Sequence, residues 1–404
     1  MKFSKLSQLA LVSVFGLLVA TVLSGCMIVT IDYVYVAGAA GTSGGSTGQI
    51  EPFAADSQTG ALRPIHTAVD SGGSKPVSLA ASSDYQDLYV ANQGNNSIVH
   101  FTIASDGSLT KKDSVTAAFT PNAIALSTSG QYLYAVGGSN PGQLAVYSLS
   151  SGAIGNLVAT VNLTLPGYTS DVIIPTGVNV LPNNGAVFVC AYDQSAYNPG
   201  GTVTSAANPG WLYSFSVGSN GALTPAAGSP YQAGVKPSDV ASDATNRFVY
   251  VTDFASNQLI GYLIRPGEVL NFMVNGPFRT GYEPASVTID PRAMYIYVAN
   301  ELQNSITGYV IATKTGTPSV TASTTGGAAL GTDSQPVSVL VDPALGRFVY
   351  TANYLGNSIS GFQIDPNTGT VTQTQATPYP TTIANPAAIA AVPHGNHAIQ
   401  ITYP

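Results

Sequence analysis

The chain has 404 residues, only 8% of them charged, with 13 Lys and Arg against 20 Asp and Glu for a net charge of −7. A soluble domain usually carries roughly 25% charged residues, so the composition excludes a charged helical bundle, a coiled coil and a disordered acidic tail. Nucleic acid is excluded as a partner because phosphate binding needs clustered Lys and Arg. The 42 Gly and 26 Pro exceed ordinary usage but stay below the roughly 25–30% that marks disorder, while 45% hydrophobic residues supply a large core.

Lys2 and Lys5 precede an apolar stretch from Leu9 to Leu23. That is the pattern of a secretory signal, too short and wrongly flanked for a spanning helix. Leu23-Ser24-Gly25-Cys26 follows at once. It resembles the bacterial lipoprotein box, which implies lipidation of Cys26 and a lipid-anchored address in the cell envelope. The expected organisation is a signal peptide over 1–25, a short tether over 26–32 and one folded body over 33–404. Removing 1–25 takes two basic residues, leaving 11 against 20 acids and a net charge of −9. So acidic a body has no electrostatic attraction for anionic lipid, which leaves anchoring to the acyl chains. Cys190, inside Val187-Phe188-Val189-Cys190-Ala191, reads as a small buried hydrophobe.

The body repeats one phrase. Lys75-Pro76-Val77-Ser78-Leu79 leads to Leu88-Tyr89-Val90-Ala91-Asn92, then Asn96-Ser97-Ile98. Glu283-Pro284-Ala285-Ser286-Val287 leads to Ile296-Tyr297-Val298-Ala299-Asn300, and Gln335-Pro336-Val337-Ser338-Val339 to Val349-Tyr350-Thr351-Ala352-Asn353. Weaker copies begin at Pro121, Pro175 and Pro237, with a half copy at Pro386. The successive intervals of 45, 54, 62, 47, 52 and 50 residues match the period of propeller blades.

Each unit reads as four strands, with strand a after the Pro and strand b the Tyr-Val-Ala-Asn run. Strand c is the Ser-Ile run, and strand d follows a Gly turn such as Thr59-Gly60, Asp106-Gly107, Asn220-Gly221 or Thr368-Gly369. Strand b is apolar at consecutive positions, as in Phe248-Val249-Tyr250-Val251, so both of its faces must be buried. Residues 33–65 supply strands b, c and d without an a, and 386–392 supply an a without its unit. The expectation is an all-β, seven-bladed β-propeller of four-stranded antiparallel blades, its ring closed by pairing N- and C-terminal strands. Gln194 to Gly210 reads as a long b–c loop, and 394–404 has no assigned place beyond a possible added strand at the seam.

The repeated Tyr-Val-Ala-Asn with a Pro-initiated strand a resembles the seven-bladed propeller lactonase family, which includes 6-phosphogluconolactonases, and equally the exported YVTN-repeat propellers. The resemblance implies, for enzymatic members, Pro-Arg-His ahead of strand a and Asn-Glu-Leu after strand b. Here Asn300-Glu301-Leu302 stands, but Ala285 and Ser286 follow Pro284, Thr176 follows Pro175 where the family has Pro-His, and Gln93 follows Asn92. Lactone hydrolysis needs a base for water and donors for the oxyanion, so Glu301 is the one candidate catalytic residue, and it stands alone.

The b–c and d–a loops share one face of a propeller, where Lys75, Asp171, Asp193, Lys236, Arg279, Glu283 and Glu301 are expected. Glu283 and Glu301 are read as a carboxylate pair served by Arg279, with Asp193 and Lys236 as further substrate-binding candidates. Asn92, Asn300, Asn353 and Asp253, like Asn96, Asn257, Asn304 and Asn357, read as turn-forming side chains. His394 and His397 lack a third ligand, and Asp365-Pro366-Asn367-Thr368-Gly369 fits a hairpin better than a calcium loop. No metal and no cofactor is therefore expected, redox groups included. Trp211, Tyr192, Tyr197 and Tyr213 read as blade packing, or as a stacking platform if exposed. The sequence thus favours an envelope-facing, monomeric binding module for a protein, peptide or glycan. The alternative is a lactonase-like hydrolase acting on a small sugar lactone.

Overall fold

A computed structural model describes residues 29–40, 47–165, 172–197, 208–321 and 330–395. The signal segment, Cys26, Asp171, the middle of the 194–210 loop, His397 and the end of the 394–404 segment lie outside the described residues.

Seven antiparallel sheets form a ring of blades, and no helix occurs among the described residues. Strands a, b, c and d of blade 2 are Pro76–Ala81, Asp87–Asn92, Ser97–Ile103 and Leu109–Thr116. Strands a and b are Pro121–Leu126 and Tyr132–Gly137 in blade 3, Ile173–Val180 and Ala186–Asp193 in blade 4, and Pro237–Ser242 and Phe248–Asp253 in blade 5. They are Pro284–Ile289 and Tyr295–Asn300 in blade 6, and Pro336–Val341 and Phe348–Asn353 in blade 7. Blade 1 takes its strand a, Ala384–Pro393, from the C-terminal side and its b, c and d strands, Thr30–Ala39, Gly48–Asp56 and Leu62–Pro64, from the N-terminal side. The seam is a true ladder, with Tyr33 opposite Val392 and Val36 opposite Ile389, so the ring closes as expected. Strand b of blade 1 starts at Thr30, so residues 30–32 belong to the ladder rather than to a tether.

Strand b is buried at every position in blades 2, 5, 6 and 7, because each blade is covered on both faces by its neighbours. The core accordingly divides into clusters at the blade interfaces, such as Val34, Phe53, Phe348 and Tyr350 between blades 1 and 7, and Phe248, Tyr250, Val298 and Tyr309 between blades 5 and 6.

A buried phenol must hydrogen-bond, and the repeat solves this across the interfaces. Tyr35 donates to the Gly107 carbonyl of the next blade at 3.0 Å, Tyr297 to Gly369 at 2.9 Å, and Tyr250 to Gly316 at 2.5 Å. Tyr350 closes the circuit by donating to Gly60 across the seam at 2.8 Å. The accepting glycines sit in the c–d hairpins. Gly60 combines a φ of +67° with a site where a Cβ would lie 2.3 Å from the Phe348 ring, so both backbone and space demand glycine. A second set runs the other way near the opposite rim: Tyr309 on strand c of blade 6 (Ser305–Ile311) donates to the Arg279 carbonyl of blade 5 at 2.6 Å.

Two buried acids also meet at the seam. Asp342, in the a–b turn of blade 7, accepts the backbone N–H groups of Leu345, Phe348 and two neighbours. Asp32, on strand b of blade 1, is completely buried beside the Asp342 carboxyl. Burial first, and then the nearby Asp342 carboxylate, hold the Asp32 carboxyl well above the ordinary carboxylate range.

Tyr350→Phe should lower stability by about 0.5–1.5 kcal/mol, and Gly60→Ala by about 1–3 kcal/mol because it overpacks against Phe348, both read from urea midpoints. Because the folded state holds the Asp32 proton more tightly than the unfolded chain, stability falls as pH rises from about 3.9 through the raised folded value. Asp32→Asn should therefore gain about 1–3 kcal/mol at neutral pH, a gain that shrinks toward pH 4 in melting curves taken across that range.

Candidate functional site at the channel mouth

Each strand a enters the central channel at its proline, so the two residues after each proline line the mouth. All seven inner strands border a cavity of 170 Å³ there, with Ser78, Asn122, Thr176, Ser238, Asp239, Ser286 and Ser338 as its polar lining. Most of these groups are bound to the ring itself. Asn122 Nδ2, Thr176 Oγ1 and Ser238 Oγ each donate to the proline carbonyl of the following blade, at 2.7, 2.8 and 2.6 Å. One position further on, Ser78 and Ser286 accept the backbone N–H groups of Ile124 and Val339 at 3.2 and 3.3 Å. Asp239 occupies the same slot in blade 5 and accepts the Val287 N–H at 3.0 Å and the Ser286 hydroxyl at 2.9 Å. Its burial raises its pKa against those hydrogen bonds.

The residue before each proline and the residue after each strand b build the outer rim. Glu283 adopts a φ of +52°, its N–H donates to Asn257 Oδ1 at 2.7 Å, and its carbonyl accepts the Glu301 N–H at 2.8 Å. The Glu301 carboxylate accepts Gln335 Nε2 of the next blade at 2.5 Å. Gln93, in the equivalent slot of blade 2, donates to Asn122 at 2.9 Å. The structure therefore joins Glu283 and Glu301 through the backbone.

Arg279 does not serve them. It lies in a short outer strand of blade 5, Phe278–Arg279, opposite Gln258, with its side chain exposed. Among the described residues it makes no ion pair with either glutamate; the only pairs are His66 with Asp106, His100 with Asp87 and Asp113, and Arg292 with Asp290. The reason is its strand register, which turns it toward a separate cleft of 710 Å³ between blades 5 and 6, shared with Gln258, Tyr282, Gln303 and Thr307.

Asp193 is buried and caps the turn after strand b of blade 4, accepting the Ser195 N–H at 2.9 Å. Lys75 is exposed on blade 2. Lys236 is half-buried, its ammonium set over the rings of Tyr192, Tyr197 and Phe254. The aromatic group thus divides: Tyr213 is buried packing, Trp211 is half-buried with its indole N–H enclosed, and Tyr192 and Tyr197 belong to the loop face. Phe254 escaped the sequence reading, although it fills the slot after strand b that Glu301 fills in blade 6. Asp239 escaped it too, though aligning the residues two after each proline exposes it.

The recurrent asparagines are structural. Asn300 is fully buried, accepts the Gly281 N–H at 3.0 Å and donates to Thr307 at 2.9 Å. Asn257, Asn304 and Asn357 take positive φ and receive the N–H before the next proline, at 2.7, 2.7 and 2.8 Å. Cys190 is buried, with its thiol pushed up to about 12 by that burial. Asp365 caps its own hairpin, accepting the Asn367 N–H at 2.8 Å. His394 packs edge-on against Tyr33 at 5.0 Å. Among the described residues no group of three or more His, Cys, Asp or Glu is placed to hold a metal.

The family model described as "Lactonase, 7-bladed beta-propeller" matches residues 46–170 and 223–399. The chain belongs to the seven-bladed β-propeller lactonase family. A sequence search of curated proteins finds no match. Among solved structures, it is similar to the periplasmic gluconolactonase of Pseudomonas aeruginosa, at 18% identity and a TM-score of 0.72 over 90% of this chain and 99% of that one. A putative 6-phosphogluconolactonase from Bacteroides fragilis matches at 15% identity and a TM-score of 0.70 over 91% and 99%. Another from Bacteroides uniformis matches at 16% and 0.71 over 90% and 100%. Within this lactonase-family fold, the slots where the resemblance implied Arg and His hold Ala285, Ser286 and Thr176. Two of those three side chains are already hydrogen-bonded into the ring.

Proposed function

We propose that this lactonase-family propeller is a binding module that receives a polar ligand (a protein, peptide or glycan) on its loop face. The observation that carries this reading is the place of Arg279, the cation expected beside Glu301, which faces the cleft between blades 5 and 6 instead. Glu301 accepts Gln335 on one oxygen and keeps lone pairs for a base on the other, but an oxyanion also needs a donor opposite it, and Arg279 does not stand there. The rim supplies surface of another kind, with amides, hydroxyls and one guanidinium around a 710 Å³ cleft, of the size that small-molecule sites have.

The second reading is ring opening of a sugar lactone, favoured by the intact Asn300-Glu301-Leu302 and by the family match. We also place the protein in the cell envelope, held by lipid on Cys26. The signal-like segment before Cys26 supports this, and the word periplasmic in the name of the Pseudomonas neighbour agrees with it.

Two measurements test these readings. On a glycan and peptide array the wild type should bind and Arg279→Ala should lose at least tenfold in affinity, while glucono-lactone turnover stays at the spontaneous rate. Turnover abolished by Glu301→Gln in a normally folded protein would replace binding with hydrolysis as the function. Separately, Cys26→Ser should move the protein from the membrane fraction to the soluble envelope fraction and stop incorporation of labelled fatty acid.

A further inference from the structure

Lys236 sits immediately before the proline that opens blade 5, and three rings, one from the end of strand b of blade 4 and two from the b–c loops of blades 4 and 5, surround its ammonium. The ring centroids of Tyr192, Tyr197 and Phe254 lie 5.8, 5.4 and 4.6 Å from Nζ, and the two tyrosines meet edge to face at 5.5 Å. Ring faces attract a cation but do not saturate its three N–H donors. Among the described residues no carboxylate lies within ion-pair distance of this ammonium and none accepts a hydrogen bond from it.

Three of the nearby acids hold other groups; the fourth, Glu283, adds to burial in raising the pKa of the Tyr197 phenol but is not within ion-pair distance of Lys236. Asp253 accepts the Val235 N–H at 2.9 Å, the Lys236 N–H at 2.8 Å and Gln258 Nε2 at 2.9 Å. Asp193 holds Ser195 and Glu301 holds Gln335. The result is a half-buried cation, set against its rings and without a carboxylate partner among the described residues, on the loop face of a chain whose net charge is −7.

We propose that Lys236 and its three rings form a subsite for the carboxylate of an acidic sugar. The assignment rests on the loop-face binding reading and names its ligand class. The ammonium supplies a charge-assisted donor to a carboxylate oxygen, and holding the lysine against the rings removes most of the ordering cost of binding. The half-buried tyrosines offer rigid apolar faces beside that charge, which suit the C–H face of a pyranose.

The test is calorimetric titration of the full chain with glucuronate, glucose and acetate. Wild type should bind glucuronate at least tenfold more tightly than either of the others. Lys236→Met, which keeps the stem against the rings, should lose that tenfold with its melting temperature unchanged, and Lys236→Arg should recover most of it. Equal glucuronate affinity in wild type and Lys236→Met overturns the assignment while leaving array binding through Arg279 intact. Glucose bound as tightly as glucuronate also overturns it. Absence of glucuronate binding to wild type overturns it as well, and the loop-face reading falls with it only if the array is blank too.

Discussion

The structure depends on one requirement, that a phenol hydroxyl buried between two blades must find an acceptor in the neighbouring blade. Tyr35, Tyr250, Tyr297 and Tyr350 meet it with a glycine carbonyl in the next c–d hairpin. The hairpin glycine is itself forced, because the same aromatic layer leaves no room for a Cβ at Gly60 or Gly369. Tyrosine and glycine are thus two halves of one contact, written in different blades and brought together only by the ring. A sheet pair held by apolar packing alone could slide; a hydroxyl aimed at one carbonyl fixes the angle between blades. The Tyr350–Gly60 contact joins residues 290 apart in the chain, so the same device that orders neighbours also fastens the ends.

The same economy governs the channel mouth. In seven blades built on one plan, the side chains after the proline are nearest the adjacent strand a, and here they reach across it. Asn122, Thr176 and Ser238 each donate to the proline carbonyl of the following blade, and one position later Ser78, Asp239 and Ser286 each accept a backbone N–H of the next strand a. A site that needs free acid, base and cation at those slots is incompatible with using them as ties. Six of the seven polar groups that line the mouth act as such ties.

Most of the fold was legible because its determinants are local and repeated. Proline, the double-sided apolar strand b and the hairpin glycine recur at blade spacing, and the half unit at Pro386 announces the seam. The tyrosine-to-glycine partnership was not legible, since nothing in one repeat names its acceptor in the next. Likewise the nearness of Glu283 and Glu301 follows from one repeat unit, but the separation of Arg279 follows from the strand register of Phe278–Arg279 against Leu259 and Gln258. The sequence sets Arg279 four positions before Glu283 but does not set the direction each side chain takes. The Lys236 group fell between these cases: its tyrosines stood out, but Phe254 lay hidden in the slot that carries Glu301 one blade later.

Low charge makes the remaining ions more telling. Where a quarter of a surface is charged, a lysine without a carboxylate is unremarked, since mobile pairs and counter-ions surround it. Here the acids of blades 4 to 6 are drawn inward to cap turns: Asp193, Asp243 and Asp290 accept backbone N–H groups near their own strands. Asp193 and Asp243 take neighbouring hydroxyls as well, and Asp290 pairs with Arg292. Of the three only Asp193 lies at the end of the ring that carries Lys236, and among the described residues no carboxylate pairs with that ammonium. The scarcity of ions in the composition thus leaves Lys236 without an ionic partner among the described residues.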